Sequence, residues 1–112
     1  MKRIEAIVRP DRVEGVKEAL AEFGLRGLTV TDVLGHGVQN GVKQQWRGQE
    51  YEVDLLPKVS LVAVVHDHEA KEVCEVIVDA ARTGRMGDGK IFVTSVEEVI
   101  RIRTGENGAG AL

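Results

Sequence analysis

Between Ala81 and Val93 the chain reads Ala-Arg-Thr-Gly-Arg-Met-Gly-Asp-Gly-Lys-Ile-Phe-Val, and these residue types suit the holding of an anion. Gly84, Gly87 and Gly89 fall close together, and glycine reaches positive φ without the steric cost that other residues meet. A backbone freed in this way can turn successive N–H groups toward one point, forming a concavity that attracts an anion. Lys90 adds a point charge where the loop ends, as lysines do at phosphates. Gly84 to Lys90 also spells G-x-x-x-x-G-K, the bulk of a P-loop, but Ile91 stands where a Mg²⁺-binding Ser or Thr belongs. The order is reversed as well, since a helix precedes the glycines and a strand follows. Phosphate binding is therefore expected and the P-loop NTPase fold is not. The plainer alternative is a helix-ending Gly84 followed by a tight turn; it explains Gly84 alone better than the whole group with Lys90.

Further cations could complete such a site. Arg101 and Arg103 sit at i and i+2 of Val99–Arg103, which reads as a short strand, so both leave one face as a fork for a polyphosphate. The alternative is a solvated edge that discourages strand pairing. Lys58 follows a long unpatterned connection, residues 37–55, and Lys90 ends the glycine loop, where two anions of different size would need counter-charges. His36, His66 and His68 include a His-x-His pair able to chelate. Without carboxylate or thiolate support they read more simply as surface or capping residues. Cys74, the single cysteine, lies on an apolar helix stripe, where packing is the expected role.

The elements that must position these groups follow from periodicity. Arg3–Arg9 alternates with Ile4, Ala6 and Val8 on one face and predicts a strand. Pro10 and Asp11 open a helix with Val13, Val16, Leu20 and Phe23 at helical spacing, ended by Gly24. Strands are predicted at Leu28–Val33, Lys58–Val65 and Ile91–Val93. Asp67 is the expected N-cap of a second helix carrying Ala70, Val73, Cys74, Ile77, Val78 and Ala81 on one stripe. Residues 104–112 form a Gly/Ala-rich tail expected to fray. The order βαββαβ specifies an α+β, ferredoxin-like sandwich of one domain over residues 1–112. Two helices cover only one sheet face, yet Val62 and Val64 make the other face apolar too, so a second copy of the chain is expected there. Residues 37–55 make up most of a connection with no convincing period, longer than compact domains normally tolerate. With Trp46, Tyr51 and Leu55 in it, a mobile docking loop is expected, the alternative being a loop that folds back and buries Trp46 as a local core.

Composition excludes several classes. The 112 residues are 43% hydrophobic and 29% charged with a formal net charge of −3, which opposes broad nucleic-acid binding. No apolar run reaches the ~18 residues of a membrane span. The polar Met-Lys-Arg-Ile-Glu start lacks a signal core, so a cytoplasmic location is expected.

Met1-Lys-x-Ile-x-Ala-Ile-Val-Arg-Pro10, Arg47-Gly48-x-Glu50-Tyr51, Thr83-x-x-x-Gly87-Asp88-Gly89-Lys90-Ile91-Phe92-Val93 and Arg101-x-Arg103-Thr104-Gly105 together resemble the PII nitrogen-regulatory signal proteins. The resemblance runs from residue 1 to about 108. It implies a homotrimer with ATP or ADP in each cleft between subunits. The implied nucleotide residues are Thr29, Gly37, Gln39, Val64, Gly87, Asp88, Gly89, Lys90, Arg101 and Arg103, the two arginines coming from a neighbouring subunit. It implies 2-oxoglutarate at Gln39, Gly41 and Lys58, with Mg²⁺ held by Gln39, the phosphates and that acid. The loop is implied to dock on ammonium transporters or nitrogen-assimilation enzymes, which can bring the protein to the inner membrane. Tyr51 matches a modified tyrosine. Departures from the pattern are Val38 for an arginine, Ser60 for a basic residue, Val62 for a glutamate, Trp46 for a tyrosine and Gln49 for a small residue.

A non-catalytic sensor is the expected function. The competing readings are a nucleotide-hydrolysing enzyme, for which no base–nucleophile pair is evident, and a ferredoxin-like RNA-binding module. For the latter, Gly89-Lys-Ile-Phe-Val93 resembles an RNP motif but stacking aromatics are lacking.

Overall fold

The computed structural model describes residues 1–36, 42–46, 49–53 and 55–112, with only the backbone of 42–46 and 49–53. Strands β1 (Lys2–Val8), β2 (Thr29–Gly35), β5 (Leu56–Val65) and β6 (Lys90–Ser95) form an antiparallel sheet in the order β2-β5-β1-β6. Helices α1 (Val13–Phe23) and α2 (Ala70–Ala81) pack against one another. This is the ferredoxin-like α+β sandwich that the βαββαβ order specifies.

The core lies between helices and sheet. Ile4, Ala6 and Val8 of β1 and Val59, Leu61, Ala63 and Val65 of β5 are buried, in the alternation a strand imposes. Val16 and Leu20 of α1 and Val73, Ile77 and Ala81 of α2 meet them, with Cys74 half-buried at the edge of the cluster. Burial pushes the Cys74 thiol above its ordinary pKa, which suits a packing role. Gly24 ends α1 at φ 105°, its N–H donating to the carbonyls of Leu20 and Ala21. Leu25 N–H also donates to Leu20 O, closing the turn that lets the chain reverse into β2.

Among the described residues no helix covers the opposite sheet face. Phe92 is half exposed there, and Val62 and Val64 are only partly covered. Glu5 pairs across with Val62 and Phe92, and Ser60 Oγ donates to Glu5 Oε2 at 2.8 Å.

Four local expectations change. Residues 42–53 contain a paired hairpin, β3 (Val42–Trp46) with β4 (Gln49–Val53), in the register Val42↔Val53 to Trp46↔Gln49. Alternating Val42, Gln44, Trp46 and Gln49, Tyr51, Val53 carries enough β propensity for that pairing, although polar glutamines blur the pattern. Val99–Arg103 is not a strand: Ile100 makes one bridge to Asn107, and Gly105, at φ 73°, donates its N–H to Arg101 O. The reversal made possible by Gly105 overrides the short apolar alternation. The tail is folded back, with Ala111 buried in a turn at Ala109–Ala111. Asp67 is not the helix cap, because it accepts from the Met1 amine at 2.8 Å. His66 occupies that place before the turn Asp67–Glu69, its N–H donating to Glu69 Oε1 at 3.3 Å.

Leu61 is central to this core. Leu61→Ala is expected to cost about 2–5 kcal/mol in urea unfolding, against less than ~0.5 kcal/mol for Glu18→Ala on the exposed face of α1.

Candidate functional site

The glycine loop, residues 82–89, leaves the C-terminal end of α2 and enters β6. Gly84, Gly87 and Gly89 all have positive φ, at 87°, 95° and 97°. At Gly89 the requirement is double, since a Cβ would fall 1.6 Å from the carbonyl oxygen of Ile7. The loop is thus pressed against the end of β1, and only glycine fits the contact.

Asp88 holds the loop's shape from within. Its Oδ2 accepts from the backbone N–H of Thr83 at 2.8 Å and of Gly84 at 2.9 Å. Its Oδ1 accepts from the Thr83 hydroxyl and from Arg9 Nε, the latter at 2.9 Å. Arg9 also donates from Nη2 to the Met86 carbonyl. The Thr83 hydroxyl, then the Arg9 guanidinium and the two backbone N–H groups, keep the Asp88 carboxyl well below the usual carboxylate range. This carboxylate is therefore the loop's internal fastener, turned toward its own backbone.

Lys58, on β5, donates from Nζ to the Gly87 carbonyl at 2.8 Å. Burial, and next the positive charge of Arg9, lower its pKa, while Asp88 and Asp11 act in the opposite sense. Lys90 stands exposed at the start of β6, paired in register with Ile7. Lys58, Gly87, Asp88, Gly89 and Lys90 thus lie close together, with the Lys58 ammonium on the glycine turn and Lys90 at its exit into β6. Arg9 and Thr83 belong to it as well and were not among the residues expected. For Thr83 the signal was a hydroxyl next to a glycine turn.

A second group lies at the other end of the sheet. Thr29, Val62 and Val64 line a cavity of about 530 Å³ with residues 24–28, His66, Glu69 and Leu112. Arg101 reaches the same region through the tail, its Nη2 lying 3.4 Å from the carbonyls of Gly110 and Leu112. Arg101 precedes an exposed turn at 102–104 and Arg103 lies within it, so the strand-face fork expected of them does not form. Lys58 and Val64 stand six residues apart on β5, about 20 Å at the rise of a strand. The structure brings Thr29 and Val64 together, and brings Lys58 to the glycine loop, but does not bring the two groups together within one chain. Gly37, Gln39 and Gly41 lie outside the described residues, as does the side chain of Tyr51.

His66 and His68 stack, with ring centroids 5.7 Å apart. Among the described residues no group of three or more His, Cys, Asp or Glu is placed to hold a metal, and no helix is long and apolar enough to cross a membrane.

The family model for nitrogen regulatory protein P-II matches residues 1–106. A nitrogen regulatory protein P-II of Rhizobium meliloti (strain 1021) is 57% identical over 112 residues, covering all of both chains. One from Azospirillum brasilense is 54% identical, again over all of both. A nitrogen regulatory protein P-II 2 of Methanothermobacter thermautotrophicus is 51% identical over all of this chain and 97% of its own.

Gly89→Ala, with its forced φ and backbone collision, is expected to lose about 1–3 kcal/mol or more in chemical denaturation. The Asp88 carboxyl has a lowered pKa in the folded chain, so its contribution is full above the ordinary value of 3.8 and declines as pH falls toward the folded value. Asp88→Asn should lower the urea midpoint at neutral pH and flatten its decline between about pH 4 and pH 2. An unchanged acid slope in that variant would show that the fastener contributes nothing.

Proposed function

Since the chain belongs to the nitrogen regulatory protein P-II family, we propose that it is a non-catalytic signalling protein that senses ATP or ADP together with 2-oxoglutarate. It acts as a homotrimer and relays the bound state through residues 37–55 to partner proteins of nitrogen assimilation, ammonium transporters among them. It works in the cytoplasm, and a transporter partner draws it to the inner membrane.

One observation carries this reading. The glycine loop with Lys58 and Lys90 suits a polyphosphate, while the cavity at Thr29 and Val64 suits a base, yet the two stand at opposite ends of β5. Val64 and Lys58 lie about 20 Å apart along β5, so the two groups do not form one pocket within a single chain. Two copies, placed so that one's cavity meets the next one's loop, join the halves into one site. The sheet face away from the helices, with Phe92, Val62 and Val64, supplies apolar surface for that assembly.

In the assembled site the backbone around Gly87 and Gly89 and the ammonium of Lys90 hold phosphates. Arg101 and Arg103 of a neighbouring copy add charge-assisted hydrogen bonds. Mg²⁺ is held by those phosphates, by Gln39 and by 2-oxoglutarate, whose carboxylate takes Lys58. Gly37 and Gly41 complete the base of the loop. The sole carboxylate of the glycine loop is engaged with Thr83, Gly84 and Arg9, which favours binding over hydrolysis. Val62 and Ser60 leave β5 without the charged groups usual there, so affinity and ATP/ADP preference are set by the remaining cations.

Light scattering is expected to give a trimer mass, and calorimetry to show ADP and ATP binding. 2-Oxoglutarate should bind about 5- to 150-fold more weakly without MgATP, the usual range of coupling between sites. Equal binding in both conditions overturns the coupled mechanism. A monomer with no thermal shift in ADP overturns the whole reading.

A further inference from the structure

Arg101 is already occupied. Its Nη1 donates to Glu106 Oε1 at 3.1 Å, and its Nη2 lies 3.4 Å from the carbonyl oxygens of Gly110 and Leu112. The main chain closes the same unit. Arg101 N–H donates to Glu106 O at 2.8 Å, Gly105 N–H to Arg101 O at 2.8 Å, and Gly108 N–H to Val99 O at 3.0 Å. Ala111 is buried, and Leu112 lines the cavity shared with Thr29, Val62 and Val64. A carboxylate and two carbonyls surround the guanidinium with the kind of oxygen acceptors a phosphate offers.

We propose that residues 106–112 form an intramolecular clip in which Glu106 takes the place of a nucleotide phosphate on Arg101, so that a nucleotide binds by displacing it. The inference rests on the nucleotide reading of Thr29, Val64 and Arg101. Glu106 then sets affinity without touching the ligand, as a competing anion tethered beside the cation it blocks. Leu112 acts at the same place by narrowing the cavity that takes the base. Because the side chains of Arg101 and Glu106 are 33% and 53% exposed, solvent screens the pair. Its removal therefore changes affinity by a modest factor rather than by decades.

The test is calorimetry with ADP on the full-length chain. Glu106→Gln keeps the shape and removes the charge, and it is expected to tighten binding about two- to fivefold, less so at high salt. Arg101→Ala weakens binding, and the double variant gains nothing over Arg101→Ala, because Glu106 acts through that arginine. Hydrogen exchange on the unmodified protein gives a second readout: the Gly105 and Gly108 amides lose protection when ADP binds. If ADP binds the wild type while Glu106→Gln binds equally or more weakly, or if the two amides keep their protection, the clip is overturned and the nucleotide reading stands. If ADP binds none of these chains, both fall.

Discussion

Four donors converge on the carboxylate of Asp88, and the rest of the site depends on that convergence. Two come from the backbone where α2 has just ended, one from the Thr83 hydroxyl and one from Arg9 at the end of β1. The two ends of the loop between α2 and β6 are thereby tied to each other and to Arg9 beyond β1, and its glycines adopt left-handed conformations. A turn this rich in glycine loses much conformational entropy on ordering. An ionised side chain with several partners offsets that cost. Preorganisation of this kind is what a phosphate site needs, because donors already in place cost nothing to order when the ligand arrives.

The direction of the chain through the loop matters electrically. A P-loop sits at a helix N-terminus, whose partial positive charge favours an anion. Here the loop follows the C-terminal end of α2, where carbonyls dominate and the helix dipole has the unfavourable sign. Anion binding at this place must come from the loop's own N–H groups and from cations: Lys58 and Lys90 nearby, with arginines from a second copy in the proposed assembly. The proposed anion binding thus rests on cations rather than on a helix dipole, and the resemblance of Gly84–Lys90 to a P-loop does not extend to the fold.

Much of this was legible in the residues. The helical stripes of α1 and α2, the alternation in β1 and β5, and the glycine turn with its lysine all follow from short-range patterns, which local chemistry dictates. Arg9 was not legible, because its partner Asp88 lies 79 positions away and no local pattern joins them. Arg101 and Arg103 look like a strand pair by spacing, but Gly105 allows the backbone to turn and the tail to return, with Ala111 buried. The hairpin at 42–53 escaped because glutamines sit at positions where a half-buried strand normally carries apolar residues. The separation of Thr29 from the glycine loop emerged only from the register of β2 on β5.

That separation along β5 carries a genetic consequence. In the proposed ring each subunit lends its upper end to one neighbour and its lower end to the other. A lesion at Thr29 and a lesion at Lys90, placed in different chains, therefore damage different halves of each junction. Whenever both kinds of subunit share a ring, one junction receives a sound half from each. Two alleles that are separately inactive can in this way restore sensing when expressed together, while the same two changes placed in one chain cannot.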